Sequence, residues 1–401
     1  MVCNFLFTKL LKDQKILMEN NRKFQTGNII AISFAHMVHD IYSAFLAPIL
    51  PLLIEKFKMS LTLAGFLTVA QNIPSLFNPF IGLLADKMPI RYLLIFAPTI
   101  TVTTMSLLGI APYYSVLIIL LFVMGIGASL FHVPAPVMIR KIAGSRVGKG
   151  MSFFMFGGEI ARSIGPLVIL GGISLWGLEG TYRLFPFGLT ASAILYFKFR
   201  NIKISEDFKK SIEAKSPFHT FKEHLPLLIT IAGVSFFISI IKAALTTFLP
   251  VYFTSSGSSL WKGGIALSIL QLAGAIGTML SGTFSDKLGR RQTLLFIVIA
   301  NPILMLLFVY SSGIFVYPLL ALIGLFAFAI TPIFLAIINE TVSDRPAFLN
   351  GLYMTINFGT GALTVMLVGI LGDLIGLELS YKVCALLGFA GIPFVLKIKN
   401  K

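Results

Sequence analysis

Charge and cysteine are what this 401-residue chain has least of: all charged residues together make up 12%, Asp and Glu number 16, and there are two cysteines, Cys3 and Cys384. A soluble globule carries about twice that share of charge, so an extensive water-facing surface cannot be assembled from this composition. Two cysteines so far apart supply no disulfide framework. No G-x-x-x-x-G-K-[ST] loop is present to cradle a nucleotide, and no nucleophile and base stand together, which argues against ATP-driven pumping and against an enzyme. Long polar stretches are scarce as well. Beyond the first 27 residues, residues 200 to 224 (RNIKISEDFKKSIEAKSPFHTFKEH) form the one extended polar segment.

What fills the rest is apolar. Hydrophobic residues account for 56% of the chain and the mean hydropathy is +0.90. A bilayer-crossing helix needs about 20 apolar residues, and Pro and Gly within such runs are tolerated where neighbouring helices satisfy the freed backbone. The runs predict twelve transmembrane helices over residues 28–53, 62–85, 91–111, 114–139, 149–175, 183–199, 225–252, 264–285, 292–311, 314–338, 348–372 and 380–396. The fold class is therefore an all-α membrane protein of two six-helix bundles, residues 28–199 and 225–401, joined by the linker 200–224. Residues 1–27 read as a retained cytosolic extension, because their basic residues do not precede a long apolar core and a small-residue cleavage site.

The net charge of +16 is a matter of address. Of 32 Lys and Arg, 25 fall in tails and loops on one side of the predicted helices, 5 on the other, and Arg162 and Lys242 lie inside apolar spans. By the positive-inside rule both termini are cytosolic in an inner or plasma membrane. The basic residues then lie beside anionic lipid, and no nucleic-acid partner is implied.

The halves repeat. GTFSDKLGRR begins at Gly282 and a near copy, GLLADKMPIR, at Gly82, an offset of 200 residues that also aligns Gln71 with Gln271, Asp86 with Asp286 and Lys87 with Lys287. The pattern G-x-x-x-D-[RK]-x-G-R-[RK] after the second and eighth helices resembles the signature loop of the major facilitator superfamily. The second copy matches in full through Gly282, Asp286, Lys287, Gly289, Arg290 and Arg291. The first keeps Gly82, Asp86, Lys87 and Arg91 but has Pro89 and Ile90 where Gly and a basic residue are usual. The resemblance implies that both loops gate a transport cycle.

Ionisable groups inside the spans point to the chemistry. Each costs roughly 2.5–3.5 kcal/mol at the bilayer centre on insertion scales, so such residues usually face a cavity or a partner. His36, His39, Asp40 and Ser43 share one face of the first helix. His132 precedes Pro134 and Pro136 in the fourth. Glu159 and Arg162, i and i+3 in the fifth, can pair. Lys242 lies on a polar face of the seventh with Ser235, Ser239 and Thr246, and Tyr353, Asn357 and Thr360 line up in the eleventh. The expected proton-coupling residues are Asp40, Glu159, His36, His39 and His132; the expected substrate-binding residues are Arg162, Lys242, Gln71, Gln271, Asn357 and Tyr353. No metal is expected, since one helix offers too few ligands, and no cofactor.

The runs FAHMVHDIYSAFLAPILPLLIEKF, GASLFH and GGEIARSIGPL are similar to the fosmidomycin-resistance branch of that superfamily, which implies a proton-driven drug exporter of the inner membrane. The chain departs from that branch in reading His132-Val133-Pro134-Ala135 on the fourth helix and in carrying Glu159 and Arg162. The expectation is proton-coupled efflux of a small anionic or amphipathic solute by a monomer using alternating access. Uptake by symport of an organic anion or sugar phosphate is the alternative, and a transport-inactive sensor a weaker one.

Overall fold

The computed structural model describes residues 24–78, 90–144, 146–200, 216–343 and 346–398. The first 23 residues, most of the linker, and the loop residues Gly82, Asp86 and Lys87 lie outside them, as does the side chain of Arg91.

Twelve helical units follow one another. α1 spans Thr26–Phe57, α2 Leu61–Phe77, α3 Ile90–Ser106, α4 Tyr114–Ile142, α5 Val147–Trp176 and α6 Phe185–Phe199. The second half contains α7 Pro217–Ser255, α8 Leu260–Leu288, α9 Arg290–Tyr310, α10 Val316–Glu340, α11 Pro346–Ile375 and α12 Leu377–Leu396. Among the described residues, ten of these helices are long and apolar enough to cross a membrane.

Proline sets where the helices break. In α1, Pro48 removes an amide and its ring crowds the preceding turn, and the helix is interrupted at Ala44 and Phe45. In α4 the interruption falls at Val133, just before Pro134 and Pro136. In α10 it falls at Phe328 and Ala329, and there the hydroxyl of Thr278 on α8 donates to the freed Phe328 carbonyl at 3.3 Å.

One boundary differs from the sequence expectation. α7 begins at Pro217 and not near residue 225, so the last eight residues assigned to the linker are helical. Ser216 accepts from the His219 amide at 3.2 Å as N-cap, and Pro217 stands at the first helical position, where its missing N–H costs nothing. His219, Lys222 and Glu223 make these turns too polar for hydropathy to find.

α1 and α5 pack backbone to backbone. A Cβ on Gly157 would stand 2.6 Å from the Ser33 carbonyl oxygen, and one on Gly165 2.7 Å from that of Ile41. Only glycine admits this approach, which brings the polar face of α1 against Glu159 and Arg162.

The two halves meet along α2 with α11, α5 with α8, and α1 with α7. Their tightest polar seam lies at the end of the bundle opposite the basic loops. There Asp373, near the end of α11, caps the start of α2, accepting from the Leu61 amide at 2.7 Å and from the Thr62 amide and hydroxyl at 2.9 and 2.6 Å. Ser60 accepts from the Leu63 amide at 3.2 Å, so the first three N–H groups of α2 are all satisfied, two of them by the other half of the molecule. Nearby, the Trp261 indole at the start of α8 donates to Ser174 near the end of α5 at 3.1 Å.

Candidate functional site

Between the halves lies a cavity of about 530 Å³, lined by Asp40, Gln71, Asn72, His132, Arg162 and Gln271 among others. Its lining runs down α2 to Ser75 and Asn78 and up α11 to Met354 and Phe358, toward the end that carries the basic loops. At the opposite end the Asp373 seam ties the halves together. A chamber of this size suits a small molecule.

Its charged floor is built by α1, α4 and α5. Asp40 is 3% exposed and surrounded by potential donors. His39 Nδ1 lies 3.0 Å from Oδ1 and His132 Nε2 3.3 Å from the same oxygen, while His36 Nε2 lies 3.3 Å and Arg162 Nη1 3.4 Å from Oδ2. The other nitrogen of Arg162, Nη2, donates to Glu159. One guanidinium thus bridges two carboxylates on different helices. Breaking such a buried arrangement from one side is costly, because it strands an uncompensated charge.

The histidines differ in role. His39 is fully buried, with Nε2 2.9 Å from the Thr101 hydroxyl on α3. With Nδ1–H donating to Asp40, that hydroxyl donates to Nε2, and the ring is fixed in one tautomer. His36 stacks on Phe154 with centroids 3.9 Å apart and donates from Nδ1 to the Phe154 carbonyl at 2.7 Å. His132 is the open one: its side chain is 40% exposed and faces the cavity.

Of the residues expected to contact solute, Arg162, Gln71 and Gln271 line the chamber, and Gln71 also donates to the Ser43 carbonyl at 3.2 Å. Three others lie outside that lining. Lys242 is not in the lining; its ammonium rests over the Phe328 ring, 4.1 Å from the centroid, within electrostatic reach of Arg162 and Glu159. Tyr353 is 2% exposed and its hydroxyl donates to the Thr331 carbonyl at 3.4 Å, and Asn357 is part-buried outside the lining. The lining from α11 comes from the adjacent Met354 and Phe358. The reason for expecting no metal also changes, because α4 adds His132 to the donors of α1.

In the loop between α8 and α9, Gly289 takes φ 91°, a conformation glycine adopts without strain. Arg290 pairs with Asp286, donates to Ser285, and reaches Glu340 on α10 at 2.8 Å. Glu340 and Asp373 were not singled out by sequence. Each is a lone acidic residue at a helix end, and its partner is distant in the chain.

Comparison with known proteins agrees with this fold. The family model described as Major Facilitator Superfamily matches residues 32–364 and 264–400. The fosmidomycin resistance protein of Escherichia coli K12 is 26% identical over 386 residues, covering 94% of this chain and 93% of that protein. An uncharacterized MFS-type transporter of Bacillus subtilis, YfnC, is 25% identical over 93% of each chain. Among solved structures, a bacterial homolog of the human lysosomal transporter Spinster, inward-facing and unoccupied, superposes with a TM-score of 0.75 at 16% identity, over 94% of this chain and 95% of that one. The chain belongs to the Major Facilitator Superfamily and is a multi-pass membrane transporter.

Proposed function

We propose that the protein exports a small anionic or amphipathic solute in exchange for protons, with the basic face of the bundle and both termini in the cytosol of a cell with an inner or plasma membrane. The observation that carries this reading is Arg162 held between Asp40 and Glu159 on the floor of a chamber whose lining extends toward that face.

Asp40 has four nitrogen groups around it; Glu159 has Arg162. Asp40 is therefore the fixed counter-charge, with His39 and His132 holding it in place, and Glu159 is the carboxylate that exchanges. An anionic group entering the chamber competes for Arg162. If the solute also carries a hydrogen-bond donor, that donor takes the carboxylate oxygens Arg162 leaves, and a proton on Glu159 then excludes the solute. Mutual exclusion of this kind gives antiport. A solute without a donor would leave Glu159 free to take a proton with it, and the same residues would run a symport. Gln71 and Gln271, at matching positions of the two halves, give the solute neutral contacts on either side.

Proteoliposomes with an imposed pH gradient separate the two. Using fosmidomycin, a small phosphonate, as probe, antiport predicts accumulation in vesicles that are acidic inside, and symport predicts it in vesicles that are acidic outside. Glu159→Gln should leave solute binding intact and abolish the response to the gradient. Normal uphill transport by that variant would remove Glu159 from the coupling step.

A further inference from the structure

We propose that His36, Asp40 and His132 form a binding site for a first-row transition-metal dication such as Zn²⁺ or Co²⁺. The three side chains each offer a ligand atom, and these atoms lie within 4.8 Å of one another. His36 Nε2 and His132 Nε2 each stand 3.3 Å from an oxygen of Asp40. Ligands at about 2.0–2.1 Å from a tetrahedral zinc are separated by roughly 3.3–3.4 Å; the two histidines meet different oxygens of Asp40, so an ion held by one of those oxygens draws the other imidazole inward from within the 4.8 Å the three ligand atoms now span.

The nitrogen of His36 points to a missing partner. The Phe154 carbonyl can only accept, so Nδ1 carries the proton and the neutral ring presents its Nε2 lone pair toward Asp40. That Nε2 is buried, in a residue 4% exposed, and makes no hydrogen bond of good geometry. Metal-binding histidines characteristically donate their other ring nitrogen to a carbonyl or carboxylate, which fixes ring and tautomer. The carboxylate has support of its own, since His39 lies 3.0 Å from Oδ1 and is itself backed by Thr101.

Ring packing holds the donors in place. His36 lies against Phe154 and meets His132 edge to face, with centroids 5.1 Å apart. Two imidazoles and one carboxylate select zinc, cobalt, nickel or copper over calcium and magnesium, which prefer oxygen. Asp40 and His132 line the chamber, so an ion reaches the site from solvent and its fourth position faces the cavity. Arg162, 3.4 Å from Asp40, opposes the ion; its existing bond to Glu159 gives it a place to withdraw.

Metal binding is read without transport, so its failure is separable from failure of the export reading. The purified full chain, with no polyhistidine tag, is titrated with Co²⁺ and followed by visible ligand-field absorption, with Zn²⁺ displacing the colour. One ion per chain is expected. His36→Ala and His132→Ala should each weaken binding by more than about tenfold, with elution volume and helical circular dichroism unchanged. His132 is the safer of the two for folding, because its side chain is already part-exposed. His219→Ala, at the polar start of α7 beside Glu223, should leave binding unchanged. Absence of saturable binding by the wild-type chain, or binding unaltered by both His36→Ala and His132→Ala, overturns the proposal.

Discussion

Asp373→Ala should loosen the end of the bundle that is closed. The carboxylate accepts three hydrogen bonds from the first turn of α2, two from backbone amides that have no partner within their own helix. Charge-assisted hydrogen bonds contribute about 1.5–3 kcal/mol each when buried, but Asp373 is exposed and the sum must be discounted. Measured N-caps lose about 0.5–2 kcal/mol on truncation, and an anion at a helix N-terminus adds about 0.3–1 kcal/mol. About 2 kcal/mol for the seam is therefore a reasonable figure, and at 1.4 kcal/mol per decade it shifts the closed-to-open ratio by roughly 30-fold. The seam joins α11 to α2, so this energy bears on the relative position of the halves and little on the stability of either. Spin labels at Tyr113 and Ser256, in loops of the two halves at that end, report their separation by pulsed electron resonance. The variant should gain a longer-distance population, and Asp373→Asn, which keeps an acceptor oxygen, a smaller one. A distance distribution identical to that of the parent would show that the seam has no part in holding the halves together.

Two further outcomes follow from packing. Gly158→Ala places a methyl against the His36 ring, within 2.6 Å of Nε2, so the ring must turn away from Asp40; the variant should fold, lose gradient-driven flux in the vesicle assay by about tenfold or more, and show altered His36 imidazole resonances. Arg290→Ala removes the group joining Asp286, Ser285 and Glu340, and should increase the rate at which a cysteine placed at Gly282 is alkylated, because the carbonyl and side chains around it lose their common partner.

The helices were legible because a bilayer makes strong demands on composition, and the duplication was legible from a loop of ten residues. Asp40, His132, Glu159 and Arg162 could be named from sequence for the same reason: a charged group in an apolar run needs a partner. Which partner was less readable. Helical spacing showed that Glu159 can reach Arg162, but only packing through Gly157 and Gly165 brings that pair to Asp40 on α1. On the eleventh helix Tyr353 and Asn357 share the polar face that sequence shows, whereas the residues lining the chamber are Met354 and Phe358, and which side of α11 turns inward is set by its packing on α2, which spacing does not encode. For Lys242 the charge was legible and one contact was not: it lies within electrostatic reach of Arg162 and Glu159, and its ammonium also rests on the Phe328 ring, which no helical period encodes.

The charges of the floor come from α1, α4 and α5, while the far wall offers Gln271, Thr246, Met354 and Phe358. On the proposed reading this divides labour along the duplication: one copy would hold the groups that exchange protons, and the other would be mainly a surface to be fitted. Substitutions in the fitted copy would then change which compound is accepted without disturbing the energy source, and new cargo could be acquired by altering one half alone.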